Sequence, residues 1–341
     1  MKIVTFGELL LRLAAPGYTK LLQKDSFDAT FCGSEANVAV SLANFGVNVS
    51  FVTKLPDNDV GIAAVRSLNY FGVDTSDIVY GNGRMGLYYL EKGASQRPSK
   101  VIYDREYSAI ALSKRSEFDW DRLFNEAKWF HLTGITPALS DELAEICLEA
   151  CKIAKNKGLT VSCDLNYRKK LWTSDKAKEI MSKLMPYVDL CIANEEDADK
   201  VLSIKAEKTN IENGIINNEA YEQVAKEICR SYGCKYVAFT LRRSYSASMN
   251  GWSGMLYCKD QDTAFYSNEY NIQIVDRVGG GDSFSGALIY SLLSDFDNQQ
   301  CIDFAVAASC LKHSIEGDYN RVTVQDVESL INNGGNGRVQ R

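Results

Sequence analysis

Histidine is almost missing from this chain: 341 residues contain two, His131 and His313. The ten cysteines include no C-x-x-C pair, so neither imidazole nor thiolate spacing suggests a metal centre. No apolar run approaches the roughly 18 residues that a bilayer span requires. There is no basic excess either. The 38 Lys+Arg stand against 44 Asp+Glu, a formal charge of −6, which argues against a dedicated nucleic-acid binder. Both the G-x-x-x-x-G-K-[ST] loop and the G-x-S-x-G elbow are absent, which removes an ordinary P-loop and that nucleophile template. Glu8 falls where a secretory leader needs its apolar stretch. The expectation is a soluble cytoplasmic protein, not associated with membrane, whose thiols stay reduced.

What is present has the balance of a globular protein: 45% hydrophobic and 24% charged residues. Short apolar segments at 2–6, 49–53, 129–132, 159–164, 188–193 and 236–241 read as buried strands. Between them run helical patterns at 34–45, 59–71 and 140–157. The last carries apolar residues at Leu143, Ile146, Cys147, Ala150 and Ile153, with Ser140 to cap it and Gly158 to end it. Alternating strands and helices of this length predict an α/β fold with a mostly parallel central sheet flanked by helices. Residues 9–31 and 84–112 break the rhythm and read as a small β-lid, with strand-like pieces at 86–91 and 100–103. The expected organisation is a single domain over 1–331 carrying that lid, a polar surface excursion at 203–219, and a flexible tail at 332–341.

The strongest local signal is Asp276-Arg277-Val278-Gly279-Gly280-Gly281-Asp282-Ser283-Phe284, leading into an apolar helical run. Three glycines before a helix let successive amides point at one anion, suited to phosphate. Asp282 fits the abstraction of a hydroxyl proton beside a transferring phosphoryl group. A glycine-rich turn with Asp282 as helix cap explains the same spacing equally well. Gly81-Asn82-Gly83-Arg84-Met85-Gly86 matches G-x-G-x-x-G, but a strand pattern follows it where the dinucleotide fingerprint must open a helix. Arg105 in the lid stretch and Arg168 after a buried strand suit a carboxylate or phosphate, with structural ion pairs as the alternative. Asn194-Glu195-Glu196-Asp197 could place carboxylates near magnesium-bound phosphate, or simply form an acidic first helical turn.

Together these segments resemble the ribokinase-type (PfkB) carbohydrate kinase family. Cys32-Gly33-Ser34-Glu35-Ala36-Asn37 is similar to its G-G-x-x-x-N signature, with Cys32 replacing the first glycine. Residues 276–284 are similar to D-T-x-G-A-G-D-x-F, departing at Arg277 and Gly280. The resemblance implies a Rossmann-like ribokinase fold and transfer of the ATP γ-phosphoryl group to an alcohol. It implies Asp282 as base, Gly279, Gly280 and Gly281 as anion hole, and Asn194, Thr240 and Arg242 beside the nucleotide, where Arg242 replaces a usual glycine. Asp197 stands where the family's N-x-x-E element has glutamate, and would meet Mg2+ through water. Tyr103-Asp104-Arg105 and 164–172 are most similar to the family's 2-keto-3-deoxygluconate kinases, which implies a sugar-acid site of Gly33, Asn37, Tyr88, Tyr103, Arg105 and Arg168. Tyr89 competes with Tyr88 for that position, because strand neighbours face opposite ways. ATP and Mg2+ are the implied cofactors and a K+ requirement stays open. A homo-oligomer through the lid is the implied assembly. A fructokinase or other PfkB sugar kinase, and an inactive sugar-acid-binding protein, are the alternatives.

Overall fold

A computed structural model describes residues 1–23, 25–194, 196–204 and 217–334. Most of the expected surface excursion and of the tail therefore lies outside the described residues. Strands of the first half are β1 (Lys2–Phe6), β2 (Leu10–Ala14), β3 (Asp28–Cys32), β4 (Asn48–Val52), β5 (Lys54–Pro56), β6 (Val79–Gly81), β7 (Gly86–Glu91) and β8 (Lys100–Asp104). The second half adds β9 (Ala127–Thr133), β10 (Thr160–Asp164), β11 (Leu190–Ala193), β12 (Tyr236–Ser244), β13 (Met249–Cys258), β14 (Thr263–Tyr266) and β15 (Tyr270–Gln273).

The main sheet follows the order β14-β13-β12-β11-β10-β9-β1-β4, with β15 also paired to β13. Its core from β4 to β12 is parallel throughout. Parallel strands need crossovers, and the helix Asp141–Asn156 is one of them. Ser140 caps it by accepting from the Leu143 amide at 3.2 Å, and Gly158 leaves it at φ +78°. Helices cover both faces. One core gathers Phe130, Ile146 and Val161, all fully buried; the other gathers Phe51, Leu288 and Phe304.

The sheet does not end at β12. β13 runs antiparallel to β12, and β14 and β15 run antiparallel to β13. This edge was not anticipated. Nine of the ten β13 residues are buried on both faces, so its sequence shows no alternation of polar and apolar positions. A second, four-stranded sheet has the order β3-β2-β7-β8, and β5 pairs with β6 apart from both. The G-x-G-x-x-G segment spans the end of β6 and the start of β7, and opens no helix.

Two helices fix the site's position. Ser34–Asn44 and Gly280–Leu293 pack together where Gly286 faces Ser41. A Cβ on Gly286 would sit 2.8 Å from the Ser41 Cβ, closer than real side chains approach. Gly286→Val is expected to overpack this contact and cost about 1–3 kcal/mol of stability. Urea unfolding should show a lower midpoint at unchanged slope.

Candidate active site

The parallel strands deliver their carboxyl ends to one edge of the sheet, where Asp164 ends β10, Asn166 comes just after it, and Glu8 and Asn194 follow β1 and β11. There a cavity of about 500 Å³ opens between the main sheet and the four-stranded sheet. Asp282 lies in it at the third helical position of Gly280–Leu293, whose cap is Gly279. Asp282 is therefore not the helix cap. Its Oδ1 accepts from the Ser34 hydroxyl, and its Oδ2 accepts from Asn37 Nδ2 at 2.6 Å. Asn166 Nδ2 donates in turn to Ser34 Oγ at 3.2 Å. Burial pushes the Asp282 carboxyl above the ordinary range, opposed by the hydrogen bonds from Ser34 and Asn37.

Glycine is required at several points by close approach. Gly279 has φ +81°, and a Cβ there would lie 2.0 Å from the Asp318 carbonyl oxygen. At Gly280 it would meet the His313 ring at 2.5 Å, which accounts for that glycine, whereas Gly281 faces open space. The amides of the first helical turn have no intrahelical acceptor and form an anion-binding end. Gly33 caps the other helix; a Cβ there would meet the Glu8 carbonyl oxygen at 2.0 Å, and its amide donates to Asn37 Oδ1 at 3.2 Å.

The four-stranded sheet supplies the opposite wall. Tyr88 faces the cavity, while Tyr89 packs against Phe27 on the other side, so alternation along β7 resolves the choice between them. The Tyr88 hydroxyl donates to Asp318 Oδ2 at 2.7 Å. Tyr103 lies 5.8 Å from the Tyr88 ring and beneath the Arg105 guanidinium at 5.3 Å. Arg105 itself is bound to Glu8, with Nε at 2.7 Å from Oε2; both side chains are buried. The sequence did not show this partner. Arg168 is half-buried, donates to the Tyr167 carbonyl at 3.1 Å, and makes no ion pair with a described carboxylate.

At the other end, Thr240, Arg242 and Asn194 line the same cavity. Arg242 stacks over Trp252 at 5.0 Å, and Trp252 packs on His313 at 4.8 Å, so the residue replacing a glycine ends a stack that reaches Gly280. Asn194 Oδ1 accepts from the amides of Glu196 and Asp197, and Asp197 accepts from the amides of Tyr167 (2.9 Å) and Asn194 (3.2 Å). Both side chains thus brace the loop ends between β10 and β11. Burial holds His131 and His313 at about 3, and neither is placed to move a proton.

Four further residues were not singled out by the sequence: Ser34, Asn166, Arg12 and Glu35. Ser34 lies inside the Cys32–Asn37 motif and Asn166 inside the 164–172 segment, but their hydroxyl and amide signal nothing alone. Arg12 on β2 is buried between Asp276, at 2.5 Å, and Asp318. Glu35 is buried beneath the cavity and accepts from the Thr133 and Thr136 hydroxyls, both at 2.7 Å; burial pushes its carboxyl up to about 7.

The model of the pfkB family carbohydrate kinases matches residues 1–323. A 2-dehydro-3-deoxygalactonokinase of Haloferax volcanii is 30% identical over 336 residues, 98% of each chain. A 2-dehydro-3-deoxygluconokinase of Thermoproteus tenax is 27% identical, covering 97% of this chain and 94% of that one. The crystal structure of the 2-dehydro-3-deoxygluconokinase from Thermotoga maritima superposes with a TM-score of 0.94 at 52% identity, covering 97% of this chain and 99% of that one. The chain belongs to the pfkB family and is an ATP-dependent carbohydrate kinase.

Proposed function

We propose that this kinase transfers the γ-phosphoryl group of ATP to the terminal hydroxyl of 2-keto-3-deoxygluconate or a close sugar acid. The observation that carries the reading is Asp282 itself. A carboxylate held by Ser34 and Asn37 lies at the glycine-led end of a helix, in one cavity with Tyr88, Tyr103, Arg105 and Arg168. The names of the relatives supply the substrate class.

In this reading residues 1–331 act as one kinase domain, and the four-stranded sheet closes over the sugar as a lid. Asp282 takes the proton of the attacking hydroxyl as its oxygen bonds to the γ-phosphorus, while the bond to the departing ADP oxygen breaks. The amides at Gly279, Gly280 and Gly281 face the charge on the transferring group. Arg168, without an ion-pair partner among the described residues, binds the sugar carboxylate. Arg105 is already charge-balanced by Glu8 and orients hydroxyls with Tyr103. Lid closure keeps water from the γ-phosphate.

Thr240, Arg242 and Asn194 lie where the nucleotide would enter. Mg2+ fits the acidic side of the cavity. Burial, then Asp197 and Asp282, push the Asp164 carboxyl well above its usual range, a crowding that a divalent cation relieves. Among the described residues no three ligand side chains form an all-protein metal cage. Mg2+ would therefore arrive with the nucleotide, with Asp164 and Asp197 facing it through water. When bound, it supplies neutralisation of phosphate charge.

Five results test this reading. Asp282→Asn should lower kcat about 10²–10⁴-fold while ATP binding persists in a titration; near-normal turnover would overturn the base assignment. Arg168→Lys should lower kcat/KM for sugar acids about tenfold or more, because a lysine cannot make the paired contact. An ADP-release panel in which the wild type prefers neutral hexoses would remove the sugar-acid assignment. The base works only when ionised, so kcat/KM should fall as pH drops through its raised pKa. Asn37→Ala removes a donor that favours the carboxylate, and its pH profile should move to higher pH.

A further inference from the structure

Lys312 is the last residue of the helix Asn298–Lys312 and is fully buried. Its Nζ donates to the carbonyl oxygens of Asp276 and Ile315, each at 3.3 Å. The nearest carboxylates are already engaged, since Arg12 pairs with both Asp276 and Asp318. Burial disfavours the ammonium, while Asp276, Asp318 and Asp282 favour it. A buried cation that answers to backbone carbonyl dipoles does what a weakly hydrated potassium ion does in a protein.

The two carbonyls belong to segments that meet at the anion-binding loop. Asp276 lies three residues before Gly279, and Ile315 lies three before Asp318, whose carbonyl packs against Gly279. The same join is braced by the Gly317 amide donating to Asp276 Oδ2 at 3.2 Å, and by Ser309 Oγ donating to the Gly280 carbonyl at 2.7 Å. Lys312 thus ties both segments from below. A monovalent metal ion serving this loop would need the oxygens that the ammonium already holds, so this position does not fit K+.

We propose that Lys312 is a built-in cation, a positioning residue that takes the carbonyl site a bound K+ would suit and makes the phosphate-binding loop independent of monovalent metal ions. The inference rests on the kinase assignment and not on the identity of the sugar.

The test compares turnover and thermal unfolding of the wild type in potassium, sodium and tetramethylammonium salts. Both should be the same in all three; saturable activation by potassium would overturn the proposal. Lys312→Ala should lower kcat about 10–100-fold by loosening the loop, and potassium or methylammonium should restore activity and raise the melting temperature saturably. Lys312→Met, neutral and of similar length, should stay slow in every salt. Wild-type kcat in Lys312→Met, or a folded Lys312→Ala that no cation restores, would equally overturn it. If Lys312→Ala does not fold, the wild-type and methionine arms still decide. A protein that turns over no sugar acid contradicts the substrate reading alone, because the unfolding measurements report on Lys312 regardless.

Discussion

The contact on which the site depends is the bond between two helix starts. Ser34 and Asn37 belong to a helix that begins at Gly33; Asp282 belongs to one that begins at Gly279. Neither helix has a side-chain cap, so each presents bare amides at an end packed against a carbonyl oxygen. A larger residue at Gly33 would push its helix from Glu8, and one at Gly279 would push its helix from Asp318. Gly286 then lets the helices lie close enough for a short serine and an asparagine to reach across. The result is a carboxylate whose direction is set by two donors and whose proton affinity is raised by its enclosure. That combination favours a base: fixed in geometry, yet not so stabilised that it refuses a proton.

The four-stranded sheet is wired to this arrangement through charge. Arg12, on β2, reaches Asp276 before the glycine loop and Asp318 after the helix Asn298–Lys312. Tyr88, on neighbouring β7, reaches the second oxygen of Asp318. On the other edge, Arg105 beyond β8 is joined to Glu8 at the end of β1. The four-stranded sheet is thus tied to residues on both sides of Asp282. Breaking either buried pair would strand a charge away from water, which costs more than the pair contributes when intact. Such contacts hold the closed wall in register more than they stabilise the fold.

Much of this was legible in the sequence, and the failures have physical reasons. Parallel strands are buried on both faces, so 159–164 and 188–193 stood out as apolar runs. The helix at 140–157 carried its period and both end signals. β13 failed because an antiparallel strand flanked on both edges and buried on both faces loses the alternation that identifies it. Gly279, Gly280, Gly281 and Asp282 stood out because a glycine run before a helix is a strong local pattern, although the spacing alone fitted a capped turn equally well. Glu8 and Arg12 were not, because a charged residue in a strand looks solvated until its partner is known. The partners lie 97 residues away for Glu8, and 264 and 306 away for Arg12, separations that no local pattern encodes.

Charge also explains why an acidic protein can receive a polyanion here. Beneath the loop lies a buried quartet: Arg12 pairs with the Asp276 and Asp318 carboxylates, and Lys312 Nζ donates to the Asp276 carbonyl. Its field on the loop above is then that of dipoles, and the helix amides set the sign felt by a phosphate. Removing either cation would leave a buried negative charge behind the anion site, opposing the ligand from the side that water cannot screen. Asp282 stands outside the quartet, with Arg168 as the cation that favours its charged form. A sugar carboxylate on Arg168 would draw part of that field away and raise the proton affinity of Asp282 further. On the proposed assignment of Arg168 to the sugar carboxylate, binding of an acidic sugar and the proton affinity of Asp282 would be coupled through one guanidinium, a link that a neutral sugar would not make.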